Sequence, residues 1–429
     1  MRSISNGKDR QLTVGIDIGS SNICCAIGSI IPDANRVKLL GISSIPSMGF
    51  RKGSISHRNQ LIEQLEKVLF GAETMADVKV NNATLSVTGN HIRCLNTQAA
   101  TALNRNRTNG VSGDRAIVET DIDQVLNLSQ AISLPPDRDI LHTLPQEYSV
   151  DTLKEINNPI GLTGRRLEGR VHLVTAATSA MKNIVDCVEE IGIKVNGLVF
   201  QPLASAIATL KHDEMQLGVT LVEIGSSTTN IAVYHGGAVR HSAVIPIGSG
   251  SITNDIAVML QISIEEAESI KIKYASAKAS LSSPKLEFDL QAENGYGKRS
   301  ISEHELSRYV EARMQEIFHL IINEISRADI KESLTYGLVL SGGGSQLSNI
   351  SALAEDLMGM RVRIGTPKHI DGITDIADLP IHSTTMGLLL WPILSNDFSQ
   401  SNHISMNTIF QKLKAVSYTH LTLPTRCSV

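Results

Sequence analysis

One short motif occurs twice in this chain, about half a chain length apart. Residues 14–27 read VGIDIGSSNICCAI and residues 221–233 read LVEIGSSTTNIAV, so Ile-Gly-Ser-Ser lies between two apolar strands in both copies. Asp17 in the first copy corresponds to Glu223 in the second. An internal repeat of this kind predicts two duplicated domains built around related strand–turn–strand hairpins. The length of 429 residues agrees with two or three domains.

Each hairpin has the composition of a phosphate-binding turn. Glycine lets backbone N–H groups approach an oxyanion closely, and serine hydroxyls add donors. An acid at the end of the preceding strand can hold a magnesium ion through water. Either copy alone is more typical of an ordinary hairpin turn, but two copies with their acids in register favour phosphate binding. Residues 337–346, GLVLSGGGSQ, predict a strand, a glycine turn and a helix against which a nucleotide could lie.

Composition and charge argue against several classes of protein. With 42% hydrophobic and 19% charged residues, the chain is globular and not disordered. A formal net charge of −4 without a long basic run argues against nucleic-acid binding. No apolar run is long enough for a transmembrane helix, and the N-terminal residues do not form a secretory signal. The cysteines and histidines match no zinc or redox motif, which argues against a metal enzyme that uses protein ligands alone.

Hydrophobic periodicity predicts an α/β fold with strands and helices mixed along the chain. Ser56 is the predicted cap of the helix that follows it, and the polar residues 97–115 predict a mobile loop. The predicted strands are 12–18, 23–29, 37–45, 82–89, 140–150, 171–177, 195–200, 218–224 and 336–340, with a small β-region at 281–297. The predicted helices are 57–70, 121–132, 181–191, 202–210, 251–260, 264–277, 302–327 and 347–358.

Several longer stretches carry a resemblance to a known family. They are PQEYSVD at 145–151 with the stretch 158–177, GGAVRHSAVIPIGSGSITNDIA at 236–257, LVLSGGGSQLSNI at 338–350, VRIGTP at 362–367 and STTMGLLLW at 383–391. Together they resemble the actin-like ATPases and, within them, the FtsA family of bacterial cell-division proteins. Sugar kinases and heat-shock chaperones share the hairpins but not the PQEY or RHSAVIPIG stretches. The resemblance covers residues 12–395.

The resemblance implies a fold and a division into domains. The fold class is α/β, with duplicated actin-like (ribonuclease H-like) domains around a nucleotide cleft and an FtsA-type extra subdomain, 1C. The implied divisions are 1–87, 167–197 and 375–395 for the first actin-like domain, 88–166 for subdomain 1C, and 198–374 for the second domain with a smaller lobe at about 255–330.

The resemblance also assigns residues to a site for ATP and magnesium. Asp17 and Glu223 would hold the magnesium ion through water, and Gln201 and Glu223 would take the catalytic positions. Glu268 would face the ribose and Lys271 the base, although their spacing is equally that of an exposed i,i+3 ion pair. Gln201 is as compatible with a plain helix start as with a residue that orients the attacking water. The other implied nucleotide-binding residues are Gly19, Ser20, Ser21, Gly225, Ser226, Ser227, Thr228, Gly343, Gly344 and Ser345.

The second hairpin departs from the family pattern, which usually has Asp, three glycine-like positions and a later Asp. Here the corresponding residues include Glu223, Ser226, Ser227 and Asn230. The longer Glu223 side chain would shift a magnesium-bound water toward the phosphate, and the serines add bulk where the backbone must come close. Because hydrolysis depends on exact placement of water, we expect ATP binding with weak or no ATPase activity.

The function implied by the resemblance is assembly. Proteins of the FtsA family bind ATP, polymerise, bind the C-terminal tail of the tubulin-like protein FtsZ, and tether FtsZ to the inner face of the cytoplasmic membrane. They recruit later division proteins through subdomain 1C. The expected location is therefore peripheral, at the division site. The FtsZ tail would bind the smaller lobe, where Lys298, Arg299, Arg308 and Arg313 could pair with an acidic peptide or form an ordinary solvated face.

The C-terminal residues predict a membrane tether. Residues 396–407 are polar and predict a linker, and residues 408–416 predict the start of an amphipathic membrane helix with Lys412 and Lys414 off its apolar face. A helix docked on the core has the same pattern. We interpret residues 417–429, SYTHLTLPTRCSV, as a non-native tail that truncates this helix.

Two other functions on the same fold stay open at this stage. One is a catalytic ATPase or small-molecule kinase, and a kinase needs a general base in its substrate cleft. The other is an assembly platform for another envelope machine such as type IV pili. The PQEY stretch and the predicted linker and helix favour cell division.

Overall fold

A computed structural model of the protein describes residues 11–31, 34–103, 106–108, 111–113, 115–290, 299–328, 334–373 and 378–398. The predicted membrane helix at 408–416, the predicted tail at 417–429 and residues 399–407 of the predicted linker lie outside the described residues. The linker prediction is wrong for residues 396–398, which form the end of the helix Ser383–Phe398. Within the described ranges, no helix combines the length and apolar character needed to cross a bilayer.

Strands and helices alternate through the described residues. The strands are β1 (Leu12–Ile18), β2 (Asn22–Ile31), β3 (Arg36–Pro46), β4 (Phe50–Arg51), β5 (Ser54–Ile55), β6 (Asn82–Val87), β7 (Arg93–Ala102), β8 (Asn106–Thr108), β9 (Val111–Gly113), β10 (Arg115–Ala116), β11 (Arg138–Val150), β12 (Leu153–Ile156), β13 (Thr163–Gly164), β14 (Arg166–Ala177), β15 (Lys194–Phe200), β16 (Val219–Ile224), β17 (Thr229–His235), β18 (Ala238–Ile245), β19 (Glu287–Leu290), β20 (Arg299–Ser302), β21 (Leu338–Ser341), β22 (Val362–Ile364) and β23 (Ile370–Gly372). The helices are α1 (Arg58–Ala76), α2 (Glu119–Gln130), α3 (Thr178–Glu190), α4 (Gln201–Thr209), α5 (His212–Leu217), α6 (Gly250–Leu260), α7 (Ile264–Tyr274), α8 (Glu303–Arg327), α9 (Ile350–Met358) and α10 (Ser383–Phe398).

Two sheets repeat one strand plan, as the duplicated motif predicts. The first has the order β15-β6-β1-β2-β3-β23 and the second has the order β18-β17-β16-β21-β22. In each, the repeat forms an antiparallel hairpin, and its first strand pairs in parallel with a later strand on the other side. Asp17 lies opposite Cys24 in the first hairpin, and Glu223 lies opposite Asn230 in the second. The two acids therefore stand at matching positions, each at the end of an inner strand.

Helices α4 and α10 cross closely against the first sheet. A Cβ atom placed on Gly387 would lie 1.8 Å from the carbonyl oxygen of Ala204, so only glycine permits this approach. A Cβ on Gly15 of β1 would lie 2.7 Å from the Cβ of Leu388. Helix α4 starts at Gln201 and helix α10 starts at Ser383. The tight packing therefore fixes the positions of these two helix starts, which face the space between the sheets.

A third sheet, with the order β12-β11-β14-β7, carries helix α2 on one face. Its core contains buried Ile122, Val125, Leu126, Tyr148 and Leu167. The predicted mobile loop at 97–115 is wrong for residues 97–102, because β7 pairs with β14 from Arg93 to Ala102, and for residues 106–108 and 111–113, where β8 and β9 form an antiparallel pair. The strand escaped the pattern analysis because several of its side chains are polar groups that make hydrogen bonds and do not enter an apolar core.

The predicted cap of α1 is also wrong. The helix starts at Arg58 with His57 at the N-cap position, and no side chain caps it. The backbone N–H of Ser56 instead donates to the carbonyl oxygen of Gly49 at 2.8 Å, which places Ser56 in the preceding turn. In the predicted β-region at 281–297, strands β19 and β20 form an antiparallel pair, and residues 291–298 lie outside the described residues.

The PQEY stretch joins the third sheet to the second. The amide nitrogen of Gln146 donates to the carbonyl oxygens of Val239 at 2.8 Å and Arg240 at 3.1 Å. The carboxylate of Glu147 accepts from the guanidinium of Arg240 at 2.9 Å. Tyr148 points the other way and is buried in the core of the third sheet. Two stretches that carried the family resemblance therefore contact each other across this boundary.

A partly buried histidine, His142, predicts loss of stability in acid. The backbone N–H of Phe200 donates to Nε2 of His142 at 2.9 Å, which requires a neutral ring. Burial lowers the pKa of His142 from 6.5 to about 4. The folded state therefore binds this proton less tightly than the unfolded state, and stability that is complete above the unfolded pKa is lost as the pH falls from 6.5 toward 4. We expect a loss of about 3 kcal/mol at pH 4 from this group.

The measurement is the free energy of unfolding between pH 4 and pH 7 for the wild type and for His142→Gln, whose amide oxygen can still accept from Phe200. The variant is expected to show the shallower dependence on pH. His57→Gln is the matched control, because His57 is exposed. Equal slopes in the wild type and His142→Gln would contradict the prediction.

Candidate functional site

A cleft of about 360 Å³ lies between the first and second sheets. Both repeated hairpins line the cleft. The first residue of α4 and the glycine turn after β21 also line it. The sequence-predicted residues that it brings together are Asp17, Gly19, Ser20, Ser21, Gln201, Glu223, Gly225, Ser226, Ser227, Thr228, Glu268, Lys271, Gly343 and Gly344. Ser345 does not line the cleft, because its buried hydroxyl donates to the carbonyl oxygen of Gly342 at 2.7 Å within the turn.

The first hairpin is closed by a short backbone bond. The N–H of Gly19 donates to the carbonyl oxygen of Asn22 at 3.0 Å, and a Cβ on Gly19 would lie 2.7 Å from that oxygen. The hydroxyl of Ser20 accepts from the backbone N–H of Lys52 at 3.1 Å. The turn is thus narrow and is supported by the neighbouring β4–β5 hairpin.

The second hairpin is supported by the segment that follows β18. The N–H of Gly225 donates to the carbonyl oxygen of Thr228 at 2.9 Å, which repeats the closure of the first hairpin. The N–H groups of Ser249 and Gly250 each donate at 2.8 Å, to the carbonyl oxygens of Gly225 and Ser226 respectively. The hydroxyl oxygen of Ser227 is buried and has no hydrogen-bond partner among the described residues. An unpartnered buried hydroxyl at a cleft wall is a donor that a ligand oxygen can use.

Of the two acids at the strand ends, Glu223 is buried and Asp17 is partly buried at the cleft wall. Burial raises the pKa of Asp17 to about 6, although the hydroxyl of Ser86 donates to its carboxylate and opposes the rise. Burial likewise raises the pKa of Glu223 to about 7. Glu223 accepts hydrogen bonds from the hydroxyls of Ser205, at 2.9 Å, and Thr384. A nearby cation would offset the cost of burying these two charges.

A chain of side-chain amides connects the two acids. The amide nitrogen of Asn230 donates to the carboxylate of Glu223 at 3.2 Å and to the amide oxygen of Gln201 at 3.0 Å. The amide nitrogen of Gln201 then faces the carboxylate of Asp17 at 3.5 Å. Thr88, at the end of β6, donates to the oxygen of Asn230 at 2.6 Å and so links the first sheet to the second. Gln201 is therefore held between the two acids, with its oxygen already accepting one hydrogen bond.

Helix α7 supplies the other end of the cleft. The ammonium of Lys271 lies 2.7 Å from the carboxylate of Glu268, so the ion pair that their spacing allows is present at the cleft wall. Lys271 also donates to the hydroxyl of Thr253 at 2.9 Å. Both residues line the cleft, but their polar ends contact each other, and a ligand there would have to share or displace that contact.

Sequence reasoning missed Thr88, Ser205 and Thr384. They lie outside the repeated motif, and no spacing in the sequence links them to Asn230 or Glu223. Each is brought there by packing, because α4 and α10 meet at the Ala204–Gly387 crossing and β6 runs beside β1.

The donor set fits a magnesium-bound polyphosphate. The described residues contain no group of three or more histidine, cysteine, aspartate or glutamate side chains arranged for a metal ion. Magnesium in proteins commonly uses only one or two carboxylates, with water and phosphate oxygens as its other ligands. Asp17 and Glu223 provide the carboxylates at this cleft, and the hydroxyl of Ser227, which has no partner among the described residues, can donate to a phosphate oxygen.

Comparisons with known proteins agree with the resemblance. The family model described as "Cell division protein FtsA" matches residues 220–387, and "SHS2 domain inserted in FTSA" matches residues 89–175. The cell division protein FtsA of Pseudomonas aeruginosa is 36% identical over 405 residues, which cover 94% of this chain and 94% of that protein. The chain belongs to the FtsA family of cell-division proteins. FtsA of Escherichia coli K12 is 34% identical over 388 residues, 89% of this chain and 90% of that protein.

Solved structures of more distant proteins share the fold. The PilM–PilN type IV pilus biogenesis complex gives a TM-score of 0.65 at 15% identity, covering 89% of this chain and 98% of that chain. MreB5 of Spiroplasma citri bound to AMPPNP gives a TM-score of 0.52 at 13% identity, covering 96% of this chain and 100% of that chain. The predicted fold class is confirmed: this FtsA-family chain is a mixed α/β protein with an actin-like fold and an FtsA-type insertion.

Proposed function

We propose that this FtsA-family protein is an ATP-binding, actin-like scaffold that polymerises, tethers FtsZ to the cytoplasmic membrane and recruits later division proteins through subdomain 1C. The observation that carries the proposal is the pair of matching hairpins that line one cleft, where the buried hydroxyl of Ser227 has no hydrogen-bond partner among the described residues. The relatives are named cell-division proteins, which favours division over a pilus platform.

The cleft residues divide into three roles in this proposal. The turns at Gly19 and Gly225 offer backbone N–H groups and serine hydroxyls to phosphate oxygens. Asp17 and Glu223 hold the magnesium ion through water, and the ion supplies charge neutralisation for the phosphates. Gly343 and Gly344 leave room for the nucleoside, since neither carries a side chain that would fill the cleft.

A kinase is disfavoured by the carboxylates of the cleft. Asp17 accepts from Ser86, Glu223 accepts from Ser205 and Asn230, and Glu268 pairs with Lys271. Two of these carboxylates, Asp17 and Glu223, are assigned to the magnesium ion in this proposal, and the third is paired with a lysine, which disfavours a general base of the kind that a kinase requires. The amide oxygen of Gln201 already accepts a hydrogen bond from Asn230, so it has less capacity to orient an attacking water.

The proposal predicts tight binding with slow turnover. Magnesium-ATP is titrated against the full chain, and phosphate release is followed in the same sample. We expect saturable binding and phosphate release slower than about one per minute, because typical enzymes with well-placed water turn over at about one per second or faster. Rapid, steady phosphate release would contradict the scaffold and support a catalytic ATPase.

The groove between α6 and α8 is the proposed site for the FtsZ tail. It has a volume of about 370 Å³ and is lined by Val258, Met259, Tyr309 and Arg313, among others. Val258 is 75% exposed, so an apolar contact is available at its rim. The guanidinium of Arg313 is not free, because it bonds to both carboxylate oxygens of Asp255 at 2.6 Å and 2.9 Å. Peptide binding would therefore depend on apolar contacts more than on this arginine.

The groove predicts that Val258→Asp weakens binding of a synthetic FtsZ C-terminal tail peptide by about tenfold or more. The change places a desolvated charge against an apolar contact and repels an acidic peptide. Fluorescence anisotropy of the labelled peptide measures the effect. Leu153→Asp is the matched control, because Leu153 is 60% exposed on the insertion, away from α6 and α8. Equal peptide affinities in the wild type and Val258→Asp would show that the groove between α6 and α8 is not the binding site of the FtsZ tail.

The other parts of the proposal rest on the family and the sequence. The membrane tether depends on residues 408–416, which lie outside the described residues. Recruitment of later division proteins would use the insertion at 88–166, and self-assembly into filaments would use the actin-like body.

A further inference from the structure

Lys52 lies at the tip of the β4–β5 hairpin, beside the first phosphate-binding turn. Lys52 and Gly53 have φ angles of 50° and 82°, which is the conformation of a tight two-residue hairpin turn. The backbone N–H of Lys52 donates to the hydroxyl of Ser20 at 3.1 Å. The backbone of this lysine is therefore tied directly to the turn that contains Ser20.

The hairpin tip is also held from its other side. A Cβ on Gly53 would lie 2.2 Å from the carbonyl oxygen of Thr88, and a Cβ on Gly89 would lie 2.9 Å from the carbonyl oxygen of Lys52. Thr88 lines the cleft and bonds to Asn230. The tip is thus packed against two segments of the cleft wall, and its place beside the cleft does not depend on one weak contact.

The cleft is poor in positive charge for a polyphosphate. Among the lining residues that the structure describes, Lys271 is the single lysine or arginine, and its ammonium pairs with Glu268 at 2.7 Å. Three carboxylates, those of Asp17, Glu223 and Glu268, line the same space. Lys52, in contrast, is exposed and takes part in none of the ion pairs found in the described part of the chain.

We infer that Lys52 is a polyphosphate-binding residue that makes the cleft prefer nucleoside triphosphates over nucleoside monophosphates. Its flexible four-carbon stem starts beside Ser20, and its ammonium closes over the phosphates at the first turn as a mobile point charge. The inference rests on the proposed nucleotide binding, and it adds a residue outside the repeated motif to the site.

The test compares three nucleotides and two neutral lysine replacements. Competition titrations measure the affinities of magnesium-ATP, magnesium-ADP and AMP for the full-length wild type, Lys52→Gln and Lys38→Gln. Lys52→Gln keeps the backbone bond to Ser20 and, like lysine, is a non-glycine residue at this φ angle. Lys38 is the matched control, since it is exposed near the opposite end of β3 from the phosphate turn.

We expect Lys52→Gln to weaken magnesium-ATP binding by about tenfold and AMP binding by less than about twofold. Lys52→Arg, which keeps the charge, is expected to restore magnesium-ATP binding, and Lys38→Gln to leave all three affinities unchanged. The wild-type affinity for magnesium-ATP is also expected to fall more steeply with added salt than that of Lys52→Gln.

Unchanged magnesium-ATP affinity in Lys52→Gln, with normal binding by the wild type, would overturn this inference alone. An equal loss for AMP and magnesium-ATP would overturn it too, because it would indicate general damage to the cleft. If the wild type bound none of the three nucleotides, the proposed function itself would fail, and this inference with it.

Discussion

Gly387→Ala is expected to lower the thermal midpoint of the protein by roughly 5–10 °C. Alanine is the better helix former by about 1 kcal/mol, so helix propensity alone predicts stabilisation. Packing outweighs this gain and makes the net change in stability unfavourable. The added Cβ would lie 1.8 Å from the carbonyl oxygen of Ala204, a backbone atom that cannot rotate away. Helices α4 and α10 would have to move apart. This movement would displace Gln201 and Thr384, which contact the two acids of the cleft.

Differential scanning fluorimetry of the nucleotide-free protein measures this effect. Gly343→Ala is the matched control, because its Cβ would meet its nearest neighbour, a side-chain atom of Ile381, at an ordinary 3.6 Å. The control is expected to keep the wild-type midpoint within about 1 °C. A midpoint for Gly387→Ala equal to that of the wild type would mean that the close crossing of α4 and α10 is absent in solution.

Asp17→Asn is expected to separate ligand binding from stability. It should weaken magnesium-ATP binding by about a hundredfold or more, because the amide cannot hold the magnesium ion with a negative charge. The nucleotide-free protein should nevertheless become more stable at pH 8. Burial raises the pKa of Asp17 from 3.8 to about 6, so its charge costs stability increasingly as the pH rises through that window. Removing the charge should recover about 3 kcal/mol above that window.

Two measurements check this pair of expectations: nucleotide affinity by calorimetry, and the free energy of unfolding at pH 4 and pH 8. Asp77→Asn is the matched control, since Asp77 is exposed at the end of α1 with a φ angle of 52° that asparagine also accepts. The control should change neither quantity. A less stable Asp17→Asn protein at pH 8 would contradict the account of the buried carboxylate.

The repeated motif was sufficient to predict the two related hairpins and the cleft between them. Ile-Gly-Ser-Ser twice, with Asp17 and Glu223 in register, fixes both the local turn and the duplication, and these depend on residues that are close in sequence. The predicted loop at 97–115 was wrong in part because its first residues continue β7, a strand that presents polar groups such as Asn96 to the neighbouring domain. Pattern analysis assumes that a buried strand face is apolar, and this one is held by hydrogen bonds.

The supporting contacts of the site could not be predicted from the sequence. Thr384 contacts Glu223 from 161 residues away, and Thr88 contacts Asn230 from 142 residues away. Nothing in a motif indicates such partners, because they follow from helix crossings and strand order. Ser345 is a residue that the glycine motif predicts for the site but that the structure does not place there. Its hydroxyl donates to the carbonyl oxygen of Gly342 within the turn.

The most direct test of the account is an isothermal titration of the full-length protein with ATP, once with magnesium and once with a chelator. We predict one saturable site per chain that binds ATP in the presence of magnesium and loses most of that affinity without it, because Asp17 and Glu223 line the cleft at the two hairpins. Absence of binding under both conditions, or binding that does not depend on magnesium, would contradict a nucleotide site built from Asp17, Glu223 and the two hairpins.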